Sequence, residues 1–198
     1  LKNPDIYFDY GKAKFDAKDY KRALKDFKKA SELAPENSKV YDFKGRTKFF
    51  IDKTDKEVID DLTKAIDLDP YNSVAYDFRG RSKFYLKMYR EALEDFNQSI
   101  KLNPKNSFCF HMRARTYHYG FAKYKRALKD YDQAFILNPN DVENYYFRGC
   151  CYFNLSILNN LNKYSEALKD LNEAIKLNPK DYLHFQVRAR TYHYGFDK

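Results

Sequence analysis

The sequence predicts an all-α protein built from repeated antiparallel helix pairs, and three observations carry that prediction. Pro35, Pro70, Pro104, Pro139 and Pro179 recur at intervals of 35, 34, 35 and 40 residues, each closing a similar phrase: KKASELAP, TKAIDLDP, NQSIKLNP, DQAFILNP, NEAIKLNP. Five positions before each proline stands a small residue (Ala30, Ala65, Ser99, Ala134, Ala174), and seven before that stands Ala23, Val58, Ala92, Ala127 or Ala167. Finally, 19 Tyr and 17 Phe supply rings for a core despite a mean hydropathy of −0.83, which argues against disorder. Only 6 Gly and 6 Pro leave too few turn-formers for an all-β chain.

The elements follow in order. Asn3-Pro4-Asp5 opens the first helix, with Asn as cap and Pro in the first turn. Six residues after each proline comes an aromatic (Tyr41, Tyr76, Phe110, Tyr145, Phe185), and four further on Gly45, Gly80, Ala114, Gly149 or Ala189. Small residues seven apart share a helix face and let a second helix approach closely, while facing rings fill the space between. The proline stops the second helix, and the Asn- or Asp-rich turn after it starts the next pair. From the Gly column to the first Ala column the spacing is 12, 13, 12, 13 and 18 residues, so insertions fall in the turn within each pair, where they are tolerated. In the fifth unit NLSILNNLNKY either extends the first helix or lengthens the loop, and Asn159-Asn160 favours a turn. A last first-type helix runs from Tyr182 to about Gly195, with Phe185, Val187 and Phe196 leaving it short of a polar outer face. This end is expected either to belong to a longer protein or to associate with another chain.

The order aromatic, Gly, Ala, aromatic or Leu, Ala, Pro, complete in Tyr7, Gly11, Ala23, Phe27, Ala30 and Pro35, resembles the tetratricopeptide repeat, whose period is about 34 residues. The resemblance covers essentially the whole chain and implies a right-handed superhelical solenoid of five full repeats plus one further helix. As one array over 1–198, the repeats run 4–37, 38–72, 73–106, 107–141 and 142–181, with a partial unit at 182–198. On this frame RARTYHYGFAK (Arg113–Lys123) and its echo RARTYHYGFDK (Arg188–Lys198), 75 residues apart, are the first helices of units four and six, duplicated as part of a two-unit block.

Catalytic and metal chemistry find no support in the residues. His111 and His118 are seven apart and His184 and His193 nine apart, without the i, i+4 spacing or complete ligand set a metal needs. There is no GxSxG, no phosphate-binding glycine loop, and no cysteine in a protease context. An enzyme is not expected, nor a cofactor. Cys109, Cys150 and Cys151 form no zinc pattern, and free thiols fit a reducing, cytoplasmic setting. No run approaches a membrane span, and with no initiator Met a targeting segment is left open.

Two charged columns recur. Lys44, Arg79, Arg113 and Arg148 precede the Gly column, with Arg188 in the last helix, and Asp61, Asp95, Asp130 and Asp170 follow the first Ala column by three. They are expected to pair as Lys44–Asp61, Arg79–Asp95, Arg113–Asp130 and Arg148–Asp170 between paired helices. Just after the Gly column stand Lys12, Arg46, Arg81, Arg115, Cys150 and Arg190. The resemblance places this column, and the residues three and four beyond it, in the concave groove that first helices line. The expected groove residues are Lys12, Phe15, Arg46, Phe49, Arg81, Phe84, His111, Arg115, His118, Tyr119, Tyr146, Phe153, Arg190 and His193. Asp42 and Asp77 can pair with Arg46 and Arg81 at i, i+4, whereas His111 and Gln186 precede Arg115 and Arg190, so the second half is expected to be more cationic.

The implied function is non-catalytic protein recognition, with the arginines fixing carboxylates or phosphates of an extended partner and the rings taking an apolar anchor. A solvated charge row over packed rings fits the same column. The net charge of +9 also admits single-stranded RNA, since Arg and rings track phosphates and stack bases, but Asp42, Asp77 and Glu143 on the same face oppose it. A self-associating scaffold, pairing through an exposed end, is a third reading. Family members that clamp the C-terminal carboxylate of cytosolic heat-shock chaperones use a Lys/Asn/Asn/Lys/Arg set. Phe8, Lys12, Phe43, Val74 and Phe78 stand there instead, so chaperone-tail binding is not expected.

Overall fold

Asparagine and aspartate caps begin every first-type helix among the described residues. The side-chain oxygen of Asn3 accepts from the Asp5 amide at 2.9 Å, Asn37 from Lys39 at 3.1 Å, and Asn72 from Val74 and Ala75 at 3.1 and 3.0 Å. Asn106 caps through Cys109, Asp141 through Glu143 and Asp181 through Leu183. Each satisfies an amide that the first turn leaves without an intrahelical partner.

The structure, a computed structural model, describes residues 3–159 and 161–196. Its helices are α1 (Pro4–Asp16), α2 (Tyr20–Leu33), α3 (Ser38–Ile51), α4 (Glu57–Leu68), α5 (Ser73–Tyr85), α6 (Tyr89–Leu102), α7 (Ser107–Arg115), α8 (Tyr124–Leu137), α9 (Val142–Asn159), α10 (Tyr164–Leu177) and α11 (Tyr182–Phe196). A π-helical turn, Thr116–Gly120, continues α7. No strand occurs among the described residues. The chain divides into two compact units, Leu1–Pro104 and Lys105–Lys198. The first pairs α1 with α2, α3 with α4 and α5 with α6, and links the pairs through α2–α3 and α4–α5. The second pairs α7 with α8 and α9 with α10, and α11 lies against α10 and α9.

The small-residue columns explain how close the helices come. A Cβ on Gly45 would lie 2.7 Å from Leu62 Cγ, so only a glycine lets α3 and α4 meet at this distance. Around that contact the first unit buries Phe49, Val58, Leu62, Ala65, Ala75 and Phe78; the second buries Ala114, Tyr124, Ala127, Tyr131, Cys151 and Leu155. Apolar burial on this scale supplies the dominant favourable free energy.

The turns within pairs run through positive φ at Lys18 (61°), Lys87 (61°) and Ala122 (50°), closing helix ends as left-handed caps do. Ala122 is the one position at which the echoed sequences differ; its counterpart Asp197 lies outside the described residues. The fifth-unit insertion is taken up as helix, α9 reaching 18 residues. Asn160, half of the expected turn, also lies outside the described residues. The echoed stretches differ in backbone: the first makes the π turn, whereas α11 stays α-helical to Phe196.

Candidate functional site

Within each pair the cation before the Gly column meets the aspartate of the second helix. Lys44 Nζ lies 2.8 Å from Asp61, and Arg79 grips Asp95 through Nε and Nη2 at 3.0 and 2.6 Å. Arg113 does the same to Asp130 at 2.8 and 2.7 Å, and Arg148 to Asp170 at 2.7 and 2.8 Å. The four acids are buried, and bidentate geometry offsets their desolvation. Burial opposes the charge on Arg148, yet Asp170 and Asp132 hold its pKa above the usual guanidinium value.

A second cation, missed in the sequence, completes this arrangement in the first unit. Lys14, Lys48 and Lys83 stand three residues after Gly11, Gly45 and Gly80, one turn along the same face. Lys14 pairs with Asp26, Lys48 with Asp61 at 2.7 Å, and Lys83 with Asp95 at 2.7 Å. In the second unit the same column reads Tyr117, Tyr152 and Tyr192. The constant offset was the available signal, hidden by the change of residue type midway.

The column after glycine is a row of arginines laid on rings. In the first unit the Arg46 guanidinium lies 4.6 Å from the Phe43 centroid, with Phe15 and Phe78 at 5.2 and 5.3 Å. Arg81 lies 4.2 Å from Phe78 and 4.6 Å from Phe49. In the second unit Arg115 lies 4.2 Å from Phe147, and Arg190 lies 5.3 Å from Phe153. Stacking uses the guanidinium face and directs its N–H bonds along the surface. Beneath the first two, Asp42 reaches Arg46 at 3.0 Å and Asp77 reaches Arg81 at 3.5 Å. Burial raises the pKa of Asp77 to about 6 against the pull of Arg81 and Arg46.

Several expected groove residues are not at the surface. Phe49, Phe84, His111, His118 and Phe153 are buried, which corrects their assignment as lining. The reason is helical phase. Phe49 lies four residues after Gly45, on the stripe that packs inward, whereas Phe50 lies four after Arg46 and shares its face. The open ring is thus the second of the doublet at Phe50 (40% exposed) and Tyr119 (48%), whereas Tyr85 stays half-buried and in the last helix both His193 and Tyr194 (55%) are exposed. Lys12, exposed, pairs with Asp16 at 3.0 Å. Phe15 and Tyr146 are half-buried, and Arg190 and His193 are exposed.

The buried histidines are structural. His118 Nε2 lies 2.8 Å from Asn154 Nδ2 and its ring stacks on Tyr119. His111 lies 3.4 Å from Asn144 and edge-on to Phe147. Burial, then Arg115, lowers His111 to about 3 and His118 to about 4. Burial also raises the Cys150 thiol to about 12, so it is protonated at neutral pH and a poor nucleophile. Among the described residues no group of three or more His, Cys, Asp or Glu is placed to hold a metal ion. No described helix is long and apolar enough to cross a membrane.

The fold is thus a series of helix pairs whose first helices carry arginines laid on rings. Residues 4–37 and 73–106 match one form of the tetratricopeptide repeat, and residues 155–181 match another. Over those residues the chain carries tetratricopeptide repeats. No curated protein matches it in sequence. Among solved structures it is similar to YrrB, described as a TPR protein with an unusual peptide-binding site (20% identity over 95% of this chain and 93% of that one, TM-score 0.75). It is also similar to MamA from Desulfovibrio magneticus RS-1 (13%, 90% and 96%, TM-score 0.76) and to PilF of Pseudomonas aeruginosa (16%, 96% and 83%, TM-score 0.80). At these identities the likeness establishes the fold. Proteins of the family are protein–protein interaction modules and generally non-catalytic.

Proposed function

We propose that the arginine-on-ring face within a unit binds an extended, acidic peptide segment, with guanidinium edges taking its carboxylates and neighbouring rings an apolar anchor. The observation that carries this reading is the repeated stacking of Arg46, Arg81, Arg115 and Arg190 on rings at 4.2–5.3 Å. Such stacking holds each cation in a fixed orientation, which lowers the ordering cost of recognition. In the second unit, exposed Arg190 beside Tyr194 offers the more open pairing of cation and ring. In the first unit Asp42 and Asp77 already answer the arginines. YrrB, a repeat protein of similar fold with a peptide-binding site, lends support to a peptide as ligand.

The test is fluorescence anisotropy with a labelled peptide carrying alternating Glu and Phe. Saturable binding that weakens with salt, and roughly tenfold more in Arg190→Glu at an unchanged melting temperature, supports the reading. A Kd for generic single-stranded RNA well below that of the peptide, with the same sensitivity to Arg190→Glu, replaces it with nucleic-acid binding.

A further inference from the structure

In α3 and α5 the stacked arginine is answered by an aspartate four residues earlier on its own helix, and the two answers differ in strength. Asp42 meets Arg46 at 3.0 Å, and the Asn72 side chain beside it favours its charged form. Asp77 lies 3.5 Å from Arg81, longer than an ordinary hydrogen bond. Its Oδ1 is buried and accepts no hydrogen bond, and the residue is 5% exposed. A carboxylate out of water with one long contact has little to offset its lost hydration. Arg81 is fixed independently, since Phe78 and Phe49 hold its guanidinium at 4.2 and 4.6 Å.

The surroundings make Asp77 the group of this unit that answers a proton near neutrality. Residues 1–104 hold no histidine and no cysteine. Within the unit α5 packs on α3, α4 and α6. From α3, Arg46 faces Asp77 with Asp42 as its own partner. The buried acids that α4 and α6 present are taken: Lys44 and Lys48 hold Asp61, and Arg79 and Lys83 hold Asp95. Burial outweighs the pull of Arg81 and Arg46 and raises Asp77 to about 6. The negative charge set against Arg81 is therefore present above that pH and is lost below it.

We infer that Asp77 gates Arg81. Ionised, its carboxylate occupies the guanidinium that a ligand's carboxylate would take; neutral, it yields that place, and the first unit gains a site for an acidic side chain of the peptide. The inference rests on the reading that stacked arginines take ligand carboxylates, and it adds a control to that reading. Asp77 is itself the template, a carboxylate set against Arg81 beside two rings. Arg81 is half-buried whereas Asp77 is buried, so an incoming acid meets the cation first. Proton uptake by Asp77 and peptide binding at Arg81 then favour each other to the same extent.

The probe is a rhodamine-labelled peptide of alternating Glu and Phe, titrated by anisotropy at about pH 7.5 and about pH 5.5, a range over which its Glu side chains stay ionised. Asn matches Asp in shape without the charge. At the higher pH Asp77→Asn should therefore bind roughly fivefold more tightly than the unaltered chain, and its gain on acidification should be roughly fivefold smaller. Adding Arg81→Gln should remove the advantage of Asp77→Asn, with circular dichroism verifying that every variant is folded. Equal affinities of Asp77→Asn and the unaltered chain at the higher pH, equal gains on acidification, or an advantage that survives Arg81→Gln overturns the inference. If Arg190→Glu still weakens binding roughly tenfold in the same titrations, the gate alone falls and the underlying reading stands. If no variant binds at either pH with about 1 mM peptide, both fall.

Discussion

Three residues before the small-residue column, residues 1–104 carry Asp42 and Asp77, while residues 105–198 carry His111, Tyr146 and Gln186. Three residues after it, the first unit has Lys14, Lys48 and Lys83 and the second Tyr117, Tyr152 and Tyr192. The two units share a backbone plan but differ in how they stabilise it. In the first, an aspartate sits between two cations, as Asp61 does between Lys44 and Lys48, and carboxylates underlie the stacked arginines. In the second, tyrosines, the neutral His111 and Gln186 occupy those places, and Arg148 sits between Asp170 and Asp132. The difference teaches that the repeat demands small residues and one ion pair, and leaves the flanking columns to either charge or aromatic packing.

The largest effect should come from reversing a shared aspartate. Asp95 is 3% exposed and meets both Arg79 and Lys83. Asp95→Lys places three cations together away from water, and breaking a buried pair costs about 3–5 kcal/mol. Urea denaturation should show that loss, well above the cost of Asp130→Lys in the second unit, where Tyr117 replaces the second cation. Equal losses would mean that the lysine column contributes nothing.

That pairing was legible in the sequence because both partners recur at fixed offsets from the small-residue columns, so one register assigns all four bridges. The open rings were not legible from spacing. In Phe49-Phe50 and His118-Tyr119 either member could face outward, since neighbours differ by about 100° around a helix. Which one does depends on how each first helix is rotated against its neighbours. The fifth-unit insertion was ambiguous for a related reason: NLSIL suits a helix and the following asparagines a turn, and packing extends α9 through Asn159.

Protonation separates the units next. His111 and His118 are held well below the ordinary 6.5 by burial. Their unfolded forms therefore bind protons first, and stability contributed above pH 6.5 drains away as pH falls towards 4. The slope is up to about 1.4 kcal/mol per pH unit for each group. Asp77 works oppositely. Its folded pKa of about 6 exceeds its ordinary 3.8, so it weakens the fold as pH rises from about 4 to 6. Burial raises Asp42 and Asp170 in the same direction. Around His118 lie Asn154, Tyr119, Tyr124 and Arg115, and an amide can occupy its place. Melting temperatures between pH 4 and 7 should fall less steeply on the acid side in His118→Gln and more steeply in Asp77→Asn. Parallel curves for both variants would show that neither group's pKa differs between the folded and unfolded chain.

The smallest effect concerns the small-residue column itself, where Gly80 and Ala114 are counterparts. A Cβ on Gly80 would meet the Phe96 ring at 2.9 and 3.0 Å and Asp95 Cβ at 3.2 Å, whereas Ala114 sits fully buried beside Tyr131. Gly80→Ala gains helix propensity, worth about 1 kcal/mol, but must push a buried ring that also packs the core. Ala114→Gly loses both that propensity and a buried methyl, worth about 0.8 kcal/mol. Each exchange should therefore destabilise, by about 1–2 kcal/mol, although one adds a methyl and the other removes it. A stabilised Gly80→Ala would mean that α5 and α6 can part slightly without loss. The column would then tolerate alanine everywhere, and the alternation of Gly with Ala would reflect no difference in helix spacing between the units.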